Sequence, residues 1–306
     1  MDLLRTRTVL LLAAFAAGTA FCASAKPWGA PKGGASFGHL GIPPQARAAA
    51  LAGGGVAWNG EGLASMQPAL AGSKSLRLDF SRAWMPEEVG ARLDRFELSG
   101  GAGRNGFSVS GTLLDYDDLD GYTEDDVSAG SYGAGAWHLA LAWSRSLGPV
   151  RWGAELSGGN AEIEDYDSWI GMASFGIVCS LPLGFRAGTA LRHVGWATPF
   201  RNDEPTLPSE LVVGIAQGGR LSSGFLAWTA GVDVRRRNGD GLAAIVSGEA
   251  VLHDAVAIRA GYPFGEDEPG ISVGGALLLR WVDVEYALAS HGLYGARHHL
   301  GLAIRL

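Results

Sequence analysis

The fold class of this chain is decided by residues 137–144, which read WHLALAWS. Bulky apolar residues (Trp137, Leu139, Leu141, Trp143) alternate there with small or polar ones, and a β-strand sends successive side chains to opposite faces. About fourteen runs with this period follow one another from Leu76 to the C-terminus. The pattern predicts an antiparallel all-β fold with one bulky apolar face, which a soluble sandwich would share.

Composition distinguishes a soluble β-sandwich from a β-fold whose apolar face meets lipid. The 306 residues include 47 glycines, only 18% are charged, and the mean hydropathy is +0.12, whereas soluble domains carry about 25% charge. A chain this apolar buries a very large core or faces lipid. After residue 25, no apolar run reaches the roughly 20 residues that a membrane helix needs, and the other structure that can span a bilayer is a closed barrel. Composition therefore favours a transmembrane β-barrel.

The connections between the runs alternate in length. With the N-terminus in the periplasm, all the periplasmic turns are short and all the long connections fall outside, which is the tendency of outer-membrane barrels; three outer loops (85–90, 236–240 and 291–296) are short as well. Trp and Tyr near run ends suggest aromatic girdles. The short connections are 101–105, 146–149, 181–184, 218–223, 253–255 and the break near Arg280, and the longer ones are 115–133, 161–167, 195–209 and 263–270. We therefore predict a transmembrane antiparallel β-barrel of about 14 strands over residues 76–306, in a bacterial outer membrane.

The first 25 residues have the features of a signal peptide. Two arginines precede an apolar stretch at residues 9–21, and a small-x-small site predicts cleavage between Ala25 and Lys26. A lipoprotein anchor at Cys22 is the alternative, although Phe21 is bulky for a lipobox. Residues 26–75 then form a lead and a plug segment.

The plug segment has a composition unlike the barrel. Prolines followed by alanines predict a short helix over residues 43–51, and a second helical stretch is expected at 62–70. Small side chains suit close packing inside a lumen. The candidate plug residues are Arg47, Leu51, Gly53, Gly54 and Pro68. Arg47 either pairs with an inward carboxylate, such as Asp79, Asp283 or Glu285, or is solvated in the periplasm.

The small, polar face of the strands is expected to line the lumen. Its charged members are the lumen-facing candidates Arg77, Asp79, Arg151, Glu155, Arg259, Asp283 and Glu285. A lumen with so many charges argues against a continuous apolar conduit, while a pathway along the plug remains open.

The opening of the mature chain carries a family resemblance. Phe37, Leu40 and Ile42 precede the stretch ARAAALAGG at 46–54 and the QPAL box at 67–70, which resembles the PorV/PorQ outer-membrane family, related to FadL-like transporters. The family usually has Asn where this chain has Gln67. The resemblance implies a fourteen-stranded barrel whose N-terminal helices plug or line the lumen. It also implies a part in type IX-type secretion or surface presentation of exported proteins, or else passage of a hydrophobic small molecule.

Several short motifs have simpler structural explanations. Residues 34–38 match G-x-S-x-G without a preceding strand, and residues 101–106 match the dinucleotide fingerprint where a strand, not a helix, follows. The acidic stretch 115–126 lacks the acids an EF-hand needs at its first and twelfth positions, which leaves a solvated loop or a loose surface cation site. Parity places Ser290 and His298 on the outer face, where a lipid-acting enzyme is a third, remote alternative.

We therefore predict a non-enzymatic protein with no cofactor and no metal site. Outer-membrane lipid is the expected partner, together with secretion-machinery or exported proteins, or a hydrophobic ligand. The net charge of −7 and the absence of a basic stripe argue against nucleic acid.

Overall fold

The computed structural model describes residues 37–72, 75–86, 89–117, 119–122, 128–200, 205–221, 224–266, 270–290 and 295–306. The expected signal peptide, its cleavage point between Ala25 and Lys26, and residues 34–36 lie outside this range. Among the described residues, no helix is long and apolar enough to cross a bilayer.

Fourteen antiparallel strands close into a barrel, which confirms the predicted fold class. The barrel strands are β1 (Arg77–Trp84), β2 (Ala91–Ala102), β3 (Asn105–Tyr116), β6 (Ala134–Leu147), β7 (Val150–Ile163), β8 (Tyr166–Ser180), β9 (Phe185–Ala197), β10 (Glu210–Arg220), β11 (Leu226–Arg237), β12 (Leu242–Leu252), β13 (Val256–Phe264), β14 (Ser272–Leu278), β15 (Val282–Ser290) and β16 (Ala296–Arg305). Each strand pairs with its neighbour in the chain, except that β3 pairs with β6, and β1 pairs with β16 to close the ring. Strands β4 (Leu119–Tyr122) and β5 (Ser128–Tyr132) form a separate hairpin in the connection between β3 and β6.

The strands present their bulky apolar side chains outward. Along β6, Leu139 is 58% and Leu141 62% exposed, whereas His138 and Ala140 are buried on the inner side. Tryptophans pack in pairs near both ends of the outer face. Trp143 and Trp152 are 4.8 Å apart between ring centroids near one end, and Trp137 and Trp169 are 5.7 Å apart near the other. The outer face thus has the apolar band and aromatic girdles of a membrane barrel.

We call the end where β1 begins and β16 ends the periplasmic end, following the orientation expected from the turns, and the opposite end the outer end.

One of the long loops expected from the sequence is absent. Strands β7 and β8 run for 14 and 15 residues, so that only Glu164 and Asp165 join them instead of a loop over 161–167. The longer outer connections are 198–209 and 265–271, and the one after β3 that contains the β4–β5 hairpin.

Residues 37–72, here called the plug, fill the lumen. Helix α1 covers only Ala46–Ala50, shorter than the expected 43–51, because its backbone turns left-handed directly afterwards, with φ of +55° at Ala52 and +73° at Gly53. The expected helix at 62–70 is reduced to a 3-10 turn at Pro68–Leu70. The plug begins near the outer end, where Phe37 stacks on Phe200, and runs lengthwise toward the periplasmic end before β1 starts.

Candidate functional site: the plugged lumen and its outer pocket

The plug backbone lies directly against the wall where the wall residue is glycine. A Cβ added at Gly153 would lie 2.2 Å from the carbonyl oxygen of Pro68, and one added at Gly188 would lie 2.2 Å from that of Val56. At Gly106 the distance to the carbonyl oxygen of Ala71 would be 2.1 Å. Only a residue without a side chain permits this approach. Part of the high glycine content is therefore explained by the plug.

Arg47 fixes helix α1 to the wall through Glu249, a residue the sequence analysis did not select. The Arg47 Nη2 lies 2.9 Å from Glu249 Oε1, its Nε donates to Oε2 at 3.1 Å, and Nη1 donates to the carbonyl of Glu61 at 2.6 Å. The expected pairing with an inward carboxylate is present, but the partner is Glu249 instead of Asp79, Asp283 or Glu285, and the alternative of solvation in the periplasm is wrong. Helix α1 packs on β13–β16, which directs the Arg47 side chain toward β12 instead.

The predicted lumen candidates Arg259 and Glu285 extend this contact. Arg259 donates to Glu249 at 2.6 Å and to Glu285 at 3.2 Å. Arg47, Glu249, Arg259 and Glu285 thus form one alternating chain of charges from the plug into three strands. Buried charges need such partners, because an unpaired one is costly in a low-dielectric interior.

A second group of charges lies near the periplasmic end. Arg77 lies 2.8 Å from Asp79, 2.9 Å from Asp283 and 2.8 Å from Glu61 of the plug. Arg305 also contacts Asp283. These contacts join Glu61 of the plug to β1, β15 and β16. The barrel closes where β1 pairs with β16.

The remaining lumen candidates also lie on the inner wall. Arg151 donates to the carbonyl of Ala71 at 2.8 Å, and the Ser174 hydroxyl donates to Glu155 at 3.5 Å. Among the plug candidates, Leu51 packs in the plug core with Trp58 and Leu63. Three further candidates approach the wall: Gly53 lies beside Arg235, Gly54 beside Asp233, and the Pro68 carbonyl rests on Gly153.

Two buried polar residues that fix the plug were missed as site residues. Asp233 accepts the backbone N–H of Gly55 at 2.5 Å. Gln67, noted in the sequence only as a departure from the family pattern, donates from Nε2 to the carbonyls of Val56 at 2.8 Å and Thr189 at 3.2 Å. The alternation itself carried a signal for Asp233, because an acid between Val232 and Val234 falls on the inward face.

Three imidazoles line a small cavity beside the plug. His39, His138 and His193 surround about 30 Å³ together with Glu155. That volume has room for about one water molecule. Burial lowers the pKa of His39, which lies on the plug, to about 4, so its ring is neutral at pH 7. Among the described residues, no cluster of three or more metal-ligating side chains is arranged to hold a metal ion.

A larger pocket opens at the outer end between the plug and strands β11 and β13–β16. This mouth pocket has a volume of about 460 Å³. Its apolar lining comprises Ile42, Pro43, Met85, Pro86, Val89 and Pro263, and Ala49 and Ala52 also line it from helix α1 and its end. Its polar lining includes Arg235, Arg237, Arg297 and His299.

The arginines of the mouth pocket differ in their partners. Arg237 lies 2.8 Å from the buried carboxylate of Glu210, and Arg235 contacts Glu266 and lies 3.7 Å from Glu210. Arg297 has no carboxylate within salt-bridge distance among the described residues, and its buried Nε has no hydrogen-bond partner there. His299 is 1% exposed, and neither of its ring nitrogens has a partner in the same part of the chain.

Ser290 and His298 are the two residues considered in the sequence analysis for a lipid-acting enzyme. Ser290 has the outward parity expected for it, which Val284 and Tyr286 share on β15, and as the last residue of the strand it also borders the mouth pocket. His298 lies on the outer face as expected, and its Nδ1 is 2.7 Å from the Tyr286 hydroxyl. The two side chains therefore do not form a nucleophile–base pair.

A second opening lies at the periplasmic end. It has a volume of about 440 Å³ and is lined by Glu61, Gly72, Arg104 and Arg151, among others. Between the two openings lies the plug core, where Leu51, Trp58 and Leu63 are almost completely buried. The lumen is thus open at both ends and filled in the middle.

Two solved structures are similar to nearly the whole chain. The toluene transporter TodX of Pseudomonas putida has 9% sequence identity and a TM-score of 0.59, with 85% of this chain and 96% of TodX covered. The CymD monoaromatic hydrocarbon channel has 11% identity and a TM-score of 0.59, with 86% and 97% covered. No protein-family model and no curated protein matches the sequence. At this identity the likeness shows the fold, and the protein is an outer-membrane β-barrel.

Proposed function

We propose that the protein is a channel that admits a hydrophobic small molecule from the cell surface and binds it first in the mouth pocket. The observation that carries the proposal is the pocket itself: about 460 Å³ of mostly apolar space, open at the outer end and ending on the plug. Ligand pockets are typically about 300–1,000 Å³ and mainly apolar, with a few placed polar groups. The architecture shared with a toluene transporter and a hydrocarbon channel supports the proposal.

Passage beyond the pocket requires the plug to move. Leu51, Trp58 and Leu63 occupy the middle of the lumen, and the plug is fixed by Arg47 and Glu61 to charged groups on the wall. A ligand opens the path only to the extent that it binds the displaced plug state more tightly than the closed state. The ion pairs then return the plug to its closed position after release.

The proposed role is non-catalytic. His298 contacts the Tyr286 hydroxyl at 2.7 Å, and the similar solved structures are a transporter and a channel. The mouth pocket is therefore a binding site in this proposal, with no reaction assigned to it.

A part in secretion or surface presentation of exported proteins is the second candidate. It rests on the plug, because the PorV/PorQ-like stretches 46–54 and 67–70 are among the parts of the plug that lie against the wall, with Leu51 beside Gly261 and the Pro68 carbonyl beside Gly153. The charged lumen favours this secretion role, whereas the apolar mouth pocket and the hydrocarbon-channel architecture favour the channel proposal. Loss of a surface protein from cells that lack this chain would support the secretion role.

The channel proposal is tested by ligand binding to the purified barrel in detergent. We expect saturable binding of the fluorescent apolar probe 1-aminoanthracene, displaced by toluene. An Ile42→Arg variant, which places a charge in the apolar lining, should weaken binding by at least about tenfold, or ~1.4 kcal/mol. The matched control is Leu183→Arg, at a periplasmic turn where the leucine is 86% exposed. Absence of saturable binding, or an Ile42→Arg variant that binds like the wild type, would refute the proposal.

A further inference from the structure

Three histidines from different parts of the fold meet beside the plug. His39 lies on the plug, His138 on β6 and His193 on β9, and together with Glu155 of β7 they line the cavity of about 30 Å³. We call these four side chains the histidine cluster. Both ring nitrogens of His138 and the Nδ1 of His193 are buried and have no hydrogen-bond partner among the described residues. Buried polar atoms are nearly always bonded, so each exception needs an explanation.

The wall is distorted to bring His193 into the lumen. Leu191 and Val194 both face outward. The two residues between them, Arg192 and His193, lie opposite the single Ser174 of β8, which makes a β-bulge. The backbone of His193 is left-handed there, with φ of +56°. Without the extra residue, strict alternation would turn His193 toward lipid. Bulges are a common means of re-aiming a side chain beside a functional site.

Only one carboxylate is available to the cluster. The other charged groups that face it from the wall are already in ion pairs; they are Arg95 and Glu97 of β2, Arg192 of β9, Glu210 of β10 and Arg237 of β11. Glu155 makes no ion pair within the described part of the chain, and the Ser174 hydroxyl donates to it at 3.5 Å. Glu155 can therefore compensate one protonated imidazole. A second or third would place uncompensated positive charge in a buried cavity beside arginines, which is costly.

The outer part of the plug is the part that such charge would displace. Residues 37–42, here called the arm, are held mainly by apolar contacts: Phe37 stacks on Phe200, and Leu40 packs against β7 and β8. One hydrogen bond runs from Arg237 to a backbone carbonyl of the arm. Within the described residues the arm makes no ion pair, whereas helix α1 is anchored by one.

We infer that the histidine cluster is a proton-binding site that releases the arm from the wall when the surroundings become acidic. His39 then carries a positive charge on the arm while His138 and His193 carry positive charges on the wall, and these like charges repel one another. Histidine is the side chain whose charge changes in mild acid, and clusters of it can shift an interface between two states. Release of the arm concerns the plug alone, so it does not depend on what the mouth pocket binds.

The direction of the effect follows from the protonation of His39 in the two states. Burial lowers the pKa of His39 to about 4 in the closed plug, whereas an exposed histidine has a pKa of about 6.5. Above about pH 6.5 the imidazole is neutral in both states, and the arm stays in place. As the pH falls from about 6.5 towards 4, the released state takes up protons that the closed state does not, so the closed state loses stability.

The number of protons sets the steepness of release. Three imidazoles and one compensating carboxylate leave a net uptake of two protons when the arm is released. Two protons shift the equilibrium between closed and released arm about 100-fold per pH unit.

Distances between spin labels on the arm and on the wall measure this release. Gly38→Cys and Gly133→Cys provide the labelling positions, because a Cβ added at either glycine meets nothing within 4 Å. The labels are placed in the full chain in nanodiscs, with the buried Cys179 replaced by serine. Double electron–electron resonance then gives the fractions of closed and released arm between pH 7.5 and 4.5. We expect one distance at pH 7.5, and release in acid with a slope of about 100-fold per pH unit.

Two variants should change this slope in opposite directions. His39→Gln removes one titrating group, so the slope should fall to about tenfold per pH unit. Glu155→Gln removes the compensating carboxylate but keeps an acceptor for Ser174, so the slope should rise to about 1,000-fold and release should begin at higher pH. The matched control His298→Gln, on the outer face, should keep the wild-type slope. A purely structural role of these side chains would move the midpoint and leave the slope unchanged.

The barrel wall itself should not respond to acid. Labels at Gly133 and Gly241, both at the outer end of the wall, should keep one distance at every pH, and unheated samples should still migrate faster on gels than boiled ones. An arm that stays in place down to pH 4.5 would overturn the inference. So would release whose slope is the same in His39→Gln and Glu155→Gln as in the wild type.

Discussion

Replacement of Arg47 should loosen the plug without opening the barrel. In Arg47→Met the apolar stem keeps its length, but the two hydrogen bonds to Glu249 are lost and the carbonyl of Glu61 loses its donor. Breaking a buried ion pair costs about 3–5 kcal/mol when one charge is left alone. Here Arg259 remains 2.6 Å from Glu249, so we expect the free energy of plug opening to fall by about 2–3 kcal/mol.

Hydrogen exchange of the purified protein in nanodiscs measures this change. A loss of about 2–3 kcal/mol accelerates exchange of the protected plug amides by roughly 30- to 150-fold, at about 1.4 kcal/mol per factor of ten, provided that they exchange through plug opening. Amides of β6–β8, which are far from Arg47, should exchange at wild-type rates.

The matched control for this prediction is Arg220→Met. Arg220 contacts Asp254 at 2.7 Å on the exposed periplasmic surface, where an ion pair contributes about 0–1 kcal/mol. Plug exchange in this variant should remain at the wild-type rate. If Arg47→Met also stays within about threefold of the wild type, the Arg47–Glu249 contact does not hold the plug, and the argument from buried charge is refuted.

Three further predictions concern the plug and the barrel. Gly188→Ala brings a methyl group to 2.2 Å from the Val56 carbonyl and should destabilise the plug by about 1–3 kcal/mol, measured by the same exchange, whereas Gly133→Ala, which meets nothing within 4 Å, should have no effect. Trp58→Ala removes the largest side chain of the plug core and should make proteoliposomes permeable to small sugars in a swelling assay; equal swelling with the lipid-facing control Trp169→Ala would contradict this. Unheated full-length protein should migrate faster on gels than boiled protein, and a variant lacking residues 26–72 should keep the shift while making liposomes leaky, because strand pairing alone closes the ring. A full-length chain that shows no shift would contradict the barrel itself.

The alternation of side chains was sufficient to predict the inner and outer faces of the strands. A strand has a strict period of two, so the identity of each residue in a run such as 137–144 states which face it occupies once one face is known to be apolar. The same rule indicates that Asp233 faces inward. Loop lengths were less predictable, because β7 and β8 continue past the expected boundary and convert the connection at 161–167 into a two-residue turn.

The sequence did not indicate which charged residues pair with one another inside the lumen. Arg47 and Glu249 are separated by 202 positions in the chain, and nothing local to either residue indicates the other. Their contact depends on where helix α1 lies against β13–β16.

The sequence by itself determined the closed antiparallel barrel, its apolar outer face and the different character of its N-terminal segment, because these follow from periodicity and composition along the chain. The tertiary structure alone decided which charges meet, which glycines the plug rests on, and that a pocket remains between the plug and the wall at the outer end. Those features arise where segments distant in sequence meet within the lumen, and their energies depend on burial and on distances of a few ångströms, which a linear pattern does not encode.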